Sequence, residues 1–556
     1  MSASAKKKLR KEQNAAQLTE KQRKEQKEAK KLKIYTSIFM VAIAVVLVAG
    51  LVIAGVNIYK NSGIAEKNTV AAVVNGEDIS SVELSYYYTD IISNTYNGWQ
   101  TSYGENLSLF LGFMGLDTSL PLNEQFYAEE ITWSDYFVDL AVEKAKSDRA
   151  LCAAAKAEGF QMSEEEQMTL EDTLGWLNTY ATIYGYPDTE SYLRSIYGPG
   201  ANLDSYTEYS TNASLASAYY TAHQENLNID DVAIRAYEAD NYDAFSSFSF
   251  ATYHVGYTDY LTGGTEGEDG TMVYTPAEEE TARAAAKADA DALAKFTSVE
   301  ELDKAIAALP KNEDFPSAKS TVFTDSLYTS TSSIYRDWLA EDGRKEGDCT
   351  VISNKTAVTA EDGSTSEVIN DFYVVLFLGR NDNTMPLANV RHILVNFEGG
   401  TTDENGSTTY TDEEKATAKA EAEAILAELT ADGTVTEDEF AAAATEKTDD
   451  TASSFTGGLF ENITPENGVY VEEFKNWAMD ESRKTGDTGI IETAYGYHIM
   501  YYVGDGALTY RDYMIRNEIS STTMEEWYNG LLEPVAAEKK DISKLNLDMI
   551  LSSGQM

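Results

Sequence analysis

The chain has 556 residues, of which 43% are hydrophobic and 11% aromatic, enough for several folded domains. Its charge is split: residues 1–33 hold 12 Lys/Arg against 4 Asp/Glu, and the remainder holds 31 against 88. So acidic a body repels phosphate backbones and argues against a nucleic-acid partner. Two cysteines, Cys152 and Cys349, support neither a disulfide framework nor a thiolate zinc site.

In chain order, the basic tail 1–33 comes first and is expected to lie in the cytoplasm. Ile38–Val56 follows, 19 residues without a charged side chain. As a helix it spans roughly 28 Å, close to the hydrocarbon thickness of a bilayer. Lysines and arginines crowd its N-terminal side, so the positive-inside rule places everything after it outside the membrane. No cysteine stands near this segment to carry a lipid, and no small-x-small site follows to suggest a cleaved signal peptide. Residues 34–60 are therefore expected to be an uncleaved single-pass anchor.

Asn68–Ile79 alternates apolar residues up to the turn pair Asn75-Gly76 and reads as a strand and turn. Residues 61–245 are otherwise mainly helical, broken at Gly98, Pro121, Pro187 and Pro199-Gly200. The next part repeats itself. Thr275-Pro-Ala-Glu278 and Thr411-Asp-Glu-Glu414 are two capping boxes, each opening an Ala-rich helix. Trp338, Arg344-Lys345, Gly347-Asp348 and Val351-Ile352 match Trp477, Arg483-Lys484, Gly486-Asp487 and Ile490-Ile491. Each copy closes on an apolar strand, Tyr373–Phe377 or Tyr497–Tyr501, and opens on a histidine-bearing one around His254 or His392. Two copies of one αβ domain are expected, at 246–383 and 386–505, with a helical segment over 506–556.

Only four histidines exist, and two of them, His392 and His498, mark the first and last strands of the second copy. Aligned on these anchors, the first copy keeps His254 but has Val374 where the second has His498. The pair is therefore a candidate for function, not packing. No HxxxH or CxxC spacing supports metal, and no GxSxG elbow supports a serine hydrolase.

Val390-Arg391-His392-Ile393-Leu394-Val395, Phe440-Ala-Ala, Asp449-Asp450-Thr-Ala-Ser453-Ser454, Gly457-Gly458-Leu459 and Thr493-Ala-Tyr-Gly496-Tyr497-His498-Ile499 together resemble the parvulin peptidyl-prolyl isomerases. The resemblance covers about 388–505. One departure is Gly-Gly-Leu where many parvulins have Gly-Gly-Asp-Leu-Gly. The wider layout resembles extracytoplasmic foldases of the PrsA and SurA type, in which a helical chaperone region accompanies one or two parvulin domains.

The resemblance implies an α+β chain with a degenerate first copy and an active second one. It implies His392 and His498 as a central pair held by a hydroxyl such as Thr493, and Asp450 or its neighbour Asp449 beside the amide. Leu459, Tyr470 and Phe474 would form the proline cup, with Tyr470 in place of the family's usual Met. The chemistry needs no cofactor: an X–Pro bond crosses a barrier of about 18–20 kcal/mol set by amide resonance. Exported, partly folded chains with unmodified X–Pro bonds are the implied partners, since Asn396–Gly400 offers no basic cluster for a phosphate. A non-catalytic holdase or surface scaffold with silent parvulin domains is the alternative.

Overall fold

A computed structural model describes residues 62–551 apart from 268–269, 313–316, 360–364, 403–407, 432 and 467, together with 2–13, 24 and 59. The expected anchor at Ile38–Val56 lies outside the described residues. Among those described, no helix is long and apolar enough to cross a membrane.

The chain divides into two units, one formed by 1–227 with 523–556 and the other by 228–522. In the first unit, β1 (Val70–Val74) turns at Asn75 and Gly76, both with positive φ, into β2 (Glu77–Ser80). Four long helices follow, Ser81–Tyr103, Trp133–Glu158, Glu164–Ile183 and Leu203–Glu225. Ser80, Thr132, Ser163 and Asn202 cap them, each side chain accepting an amide hydrogen three residues on. Trp133, Phe137, Ala141 and Ala145 recur at helical spacing and are fully buried with Tyr88 and Ile92. The segment 506–556 is not wholly helical. After helix Tyr510–Leu532, Ala537–Lys539 forms a strand on the free edge of β1, and Leu545 and Leu551 enter the same core.

The second unit holds two antiparallel four-stranded sheets. The first contains β3 (Ser247–Gly256), β4 (Thr321–Leu327), β5 (Cys349–Thr359) and β6 (Thr365–Asn381), in the order β4-β3-β6-β5. The second contains β7 (Pro386–Asn396), β8 (Leu459–Ile463), β9 (Thr488–Glu492) and β10 (Gly496–Thr509), in the order β8-β7-β10-β9. The two orders coincide strand for strand. Helices Pro276–Leu293 and Asp412–Leu429 each begin with a two-way capping box and pack on one face of their sheet.

Hydrogen bonds align the copies independently of sequence. Gly347 donates to the Phe377 carbonyl and Phe377 to that of Asp348, as Gly486 does to Tyr502 and Tyr502 to Asp487. Phe377 therefore matches Tyr502, and counting back along the strand, Tyr373 matches His498. His254 pairs with Tyr373 as Leu394 pairs with His498. Thr252 thus matches His392, and His254 matches Leu394. The sequence alignment of His254 with His392 and of Val374 with His498 is corrected: the first copy keeps neither member of the pair. Packing agrees, because Val374 and Ile499 both face the Ala-rich helices of their own sheets. His254 is half exposed, its Nε2 3.4 Å from Asp371.

Candidate functional site

The open face of the second sheet carries the chemistry. β7 presents His392, and two residues out of register on the neighbouring β10 stands His498. Their rings stack at 18° with centroids 5.2 Å apart, and their Nδ1 atoms lie 2.9 Å from each other. His392 Nε2 lies 2.9 Å from Asp450 Oδ2, and His498 Nε2 lies 3.0 Å from Thr493 Oγ1. Four of the expected residues, His392, Asp450, Thr493 and His498, are therefore brought into one chain of contacts.

The contacts dictate a direction. A carboxylate only accepts, so His392 carries its proton on Nε2 and leaves Nδ1 bare. His498 then holds its proton on Nδ1 and donates across the pair, and its own Nε2 accepts from the Thr493 hydroxyl. Thr493 Oγ1 in turn accepts the Tyr495 amide at 3.2 Å. Asp449 is not the acid of the site: its Oδ2 accepts from Asn396 N at 2.8 Å, and its amide donates to Leu394 O.

The apolar side of the site is aromatic. Phe474, on the short helix Glu472–Ala478, meets His392 edge-on at 5.5 Å and His498 at 5.7 Å. Tyr470 stacks on Phe474 at 6.0 Å. Leu459 is not among the residues gathered there. Alternation along β8 brings Phe460 instead, 5.1 Å from His392 and 5.6 Å from Phe474. Ser453 is a second residue that the sequence reading did not single out. Its buried hydroxyl donates to Asp450 Oδ2 at 2.6 Å and lies 3.1 Å from His392 Nε2.

Burial lowers both imidazoles. It takes His498 down to about 4, with His392 adding to the fall and Asp450 opposing it. His392 is lowered by burial against the hydrogen bond and charge of Asp450. Burial alone would raise Asp450, but hydrogen bonds from Ser453 and His392, the pull of His392 and the Ala452 amide hold it below the usual carboxylate range. At neutral pH the site is two neutral rings leading to one carboxylate. Among the described residues, no three His, Cys, Asp or Glu side chains are grouped to hold a metal ion.

The His498 shift has a sign. Between its ordinary value of 6.5 and about 4, the unfolded chain binds a proton that the folded site refuses. Stability is full above 6.5 and is expected to fall toward pH 4 by up to about 1.4 kcal/mol per pH unit for this group. Hydrogen exchange of the β7 and β10 amides, followed from pH 7 to 4.5, reads the loss directly. His498→Gln should flatten the slope; an unchanged slope would contradict the buried neutral ring.

The site is thus a four-stranded antiparallel sheet whose two central strands each bear one of a stacked histidine pair, set between an acidic loop and an aromatic wall. Residues 374–503 match the PPIC-type PPIase domain family. That segment is a parvulin-type peptidyl-prolyl isomerase domain within a longer chain. No curated protein matches it. Among solved structures, the PPIase domain of TBPAR42 is 27% identical over 21% of this chain and 99% of that one, with a TM-score of 0.17. PrsA from Bacillus anthracis is 22% identical over 28% of this chain and 59% of that one, TM-score 0.16. PrsA from Bacillus subtilis is 13% identical over 73% of this chain and 85% of that one, TM-score 0.21.

Proposed function

We propose that the protein is a membrane-anchored foldase that isomerises X–Pro bonds in exported polypeptides, with its body on the extracytoplasmic side. The observation that carries the catalytic part is the unbroken chain from Thr493 through His498 and His392 to Asp450, beside a wall of Phe460, Tyr470 and Phe474. The wall takes the proline ring, and the polar chain favours the twisted amide over the planar one, so binding energy is spent on the transition state. Membrane attachment is supported by the apolar run Ile38–Val56 and the basic residues before it. Client binding by the first unit is supported by large apolar side chains left in solvent, among them Leu109 and Phe113, which are 77% and 90% exposed. We assign the first copy, with Thr252 and Tyr373 at the histidine positions, to binding or spacing without catalysis.

The test is a protease-coupled isomerisation assay of the full chain on unphosphorylated X–Pro peptides, beside its His392→Ala variant. The variant removes the acceptor of His498 and the donor to Asp450 together. Its kcat/KM is expected to drop by about 10²-fold while suppression of client aggregation persists. Equal activity in the variant would sink the site assignment. No catalysis by the native chain, with aggregation still suppressed, would favour a holdase built on two silent isomerase folds.

A further inference from the structure

We propose that Ser453 is a positioning residue of this site, one that sets the direction of the hydrogen-bond chain through both histidines. The inference rests on the isomerase reading above, and its test is chosen to stand apart from it.

The Asp450 carboxylate is held from several sides. Its Oδ1 accepts from Ala452 N at 3.1 Å, and its own amide donates to Thr448 Oγ1 at 3.1 Å. Its Oδ2 receives two donors, the Ser453 hydroxyl at 2.6 Å and His392 Nε2 at 2.9 Å. Ser453 is itself fixed, because its carbonyl accepts from Gly458 N at 2.9 Å and from Thr456 Oγ1 at 2.8 Å. A hydroxyl locked in this place has one proton, and it points at the carboxylate.

That proton decides between two arrangements of the pair. In the forward one, each ring donates toward Asp450. In the reverse one, His392 donates from Nδ1 to His498, and its bare Nε2 faces a carboxylate and a hydroxyl oxygen whose proton is already committed. The reverse arrangement then leaves a buried acceptor unsatisfied, or trades the 2.6 Å bond to the carboxylate for a 3.1 Å one to Nε2, and is disfavoured. Without the hydroxyl, Asp450 takes up a proton more readily and can donate it to His392 Nε2, which makes the reverse arrangement available. Ser453 therefore keeps the acid ionised and the two imidazoles in one tautomeric order.

The other groups around the carboxylate do not replace this role. His392 faces it from β7, with His498 behind it on β10, and Phe460 and Phe474 bring no charge. Asp449 is turned to Asn396, and Arg391 is turned to Glu437 and to the carbonyls of Thr456 and Gly457.

The experiment uses the full chain labelled with ¹⁵N-histidine, where four histidines give few signals. Long-range ¹H–¹⁵N spectra report which ring nitrogen of His392 is protonated, without any substrate. The native chain should show the proton on Nε2, Ser453→Ala a mixture of tautomers, and Ser453→Thr, which retains the hydroxyl, the native state. In parallel, the acidic limb of kcat/KM should move up by about one pH unit in Ser453→Ala, with KM little changed, and return in Ser453→Thr. Native tautomers and an unmoved limb in Ser453→Ala would overturn the proposal. A folded Ser453→Thr with the alanine variant's tautomers would do so too. A native chain that isomerises nothing would defeat the functional reading alone, and the spectra would still decide the role of Ser453.

Discussion

Gly458→Ala is expected to unfold the edge of the second sheet locally and to reduce kcat/KM by more than about tenfold. Gly458 sits at φ +70°, where a side chain is disfavoured, and a Cβ there would fall 2.1 Å from the His392 carbonyl oxygen and 3.1 Å from Ala444 Cβ. Both neighbours are fixed, the first by a sheet and the second by helix Glu437–Lys447. Left-handed backbone costs an alanine about 1–2 kcal/mol, and the overlap adds about 1–3 kcal/mol more. The displacement falls on the site, because His392 N donates to Gly458 O at 2.9 Å and Gly458 N to Ser453 O at 2.9 Å. Hydrogen exchange of the β7 and β8 amides measures the damage. Gly486→Ala, also at positive φ but with open space around the new carbon, is the control and should lose only the backbone cost. Equal effects in the two variants would show that conformation, and not close approach, governs Gly458.

Arg511→Met is expected to cost about 3–5 kcal/mol in the second unit, the range for breaking a buried ion pair from one side. Arg511 is 1% exposed at the start of helix Tyr510–Leu532. Its Nε donates to Glu238 Oε1 at 2.6 Å, Nη1 donates to Asp382 O at 3.2 Å, and Nη2 donates to the Tyr242 carbonyl. The guanidinium also lies 3.9 Å from the centroid of the Tyr242 ring. One planar fork thus ties together the helix before β3, the link between the two sheets and the helix after β10. Methionine fills the volume but leaves Glu238 to Arg235 alone and takes this donor from two carbonyls. Lysine restores the charge without the fork and should recover only part of the loss. Urea unfolding of the full chain, with exchange at 231–246 and 380–386 as the local readout, distinguishes these outcomes. A methionine variant as stable as the native chain would mean that water satisfies the node.

The parts of the fold that were legible are those specified locally. Thr275 with Glu278 and Thr411 with Glu414 announce helix starts because both capping partners lie within one turn. The histidine pair stands out by its place on the first and last strands of the second copy, and motif resemblance supplies its role, since its members are 106 residues apart and no spacing rule joins them. Parity decided what was misread. Successive residues of a strand face opposite ways, so one residue gained or lost in a loop exchanges the faces. The shortened Gly-Gly-Leu loop did this to Leu459 and Phe460, while the unequal lengths of the β5–β6 and β9–β10 hairpins left the closing strands aligned one residue out, so that Val374 was set where Tyr373 belongs. Ser453 lay inside a recognised motif, but its role depends on a turn that brings its hydroxyl back to Asp450. The C-terminal strand had no signal at all: Ala537–Lys539 is three residues long and becomes a strand only because β1 has an unpaired edge.

That last strand bears on the order in which the molecule can be completed. Val74 and Ala72 wait for Ala537 and Lys539, and Ser134 gives its hydroxyl proton to the carbonyl of Leu547. The unit that leaves the ribosome first is therefore the last to close, after the whole isomerase portion has been made. Until its own tail arrives, its sheet edge and part of its apolar core stand open.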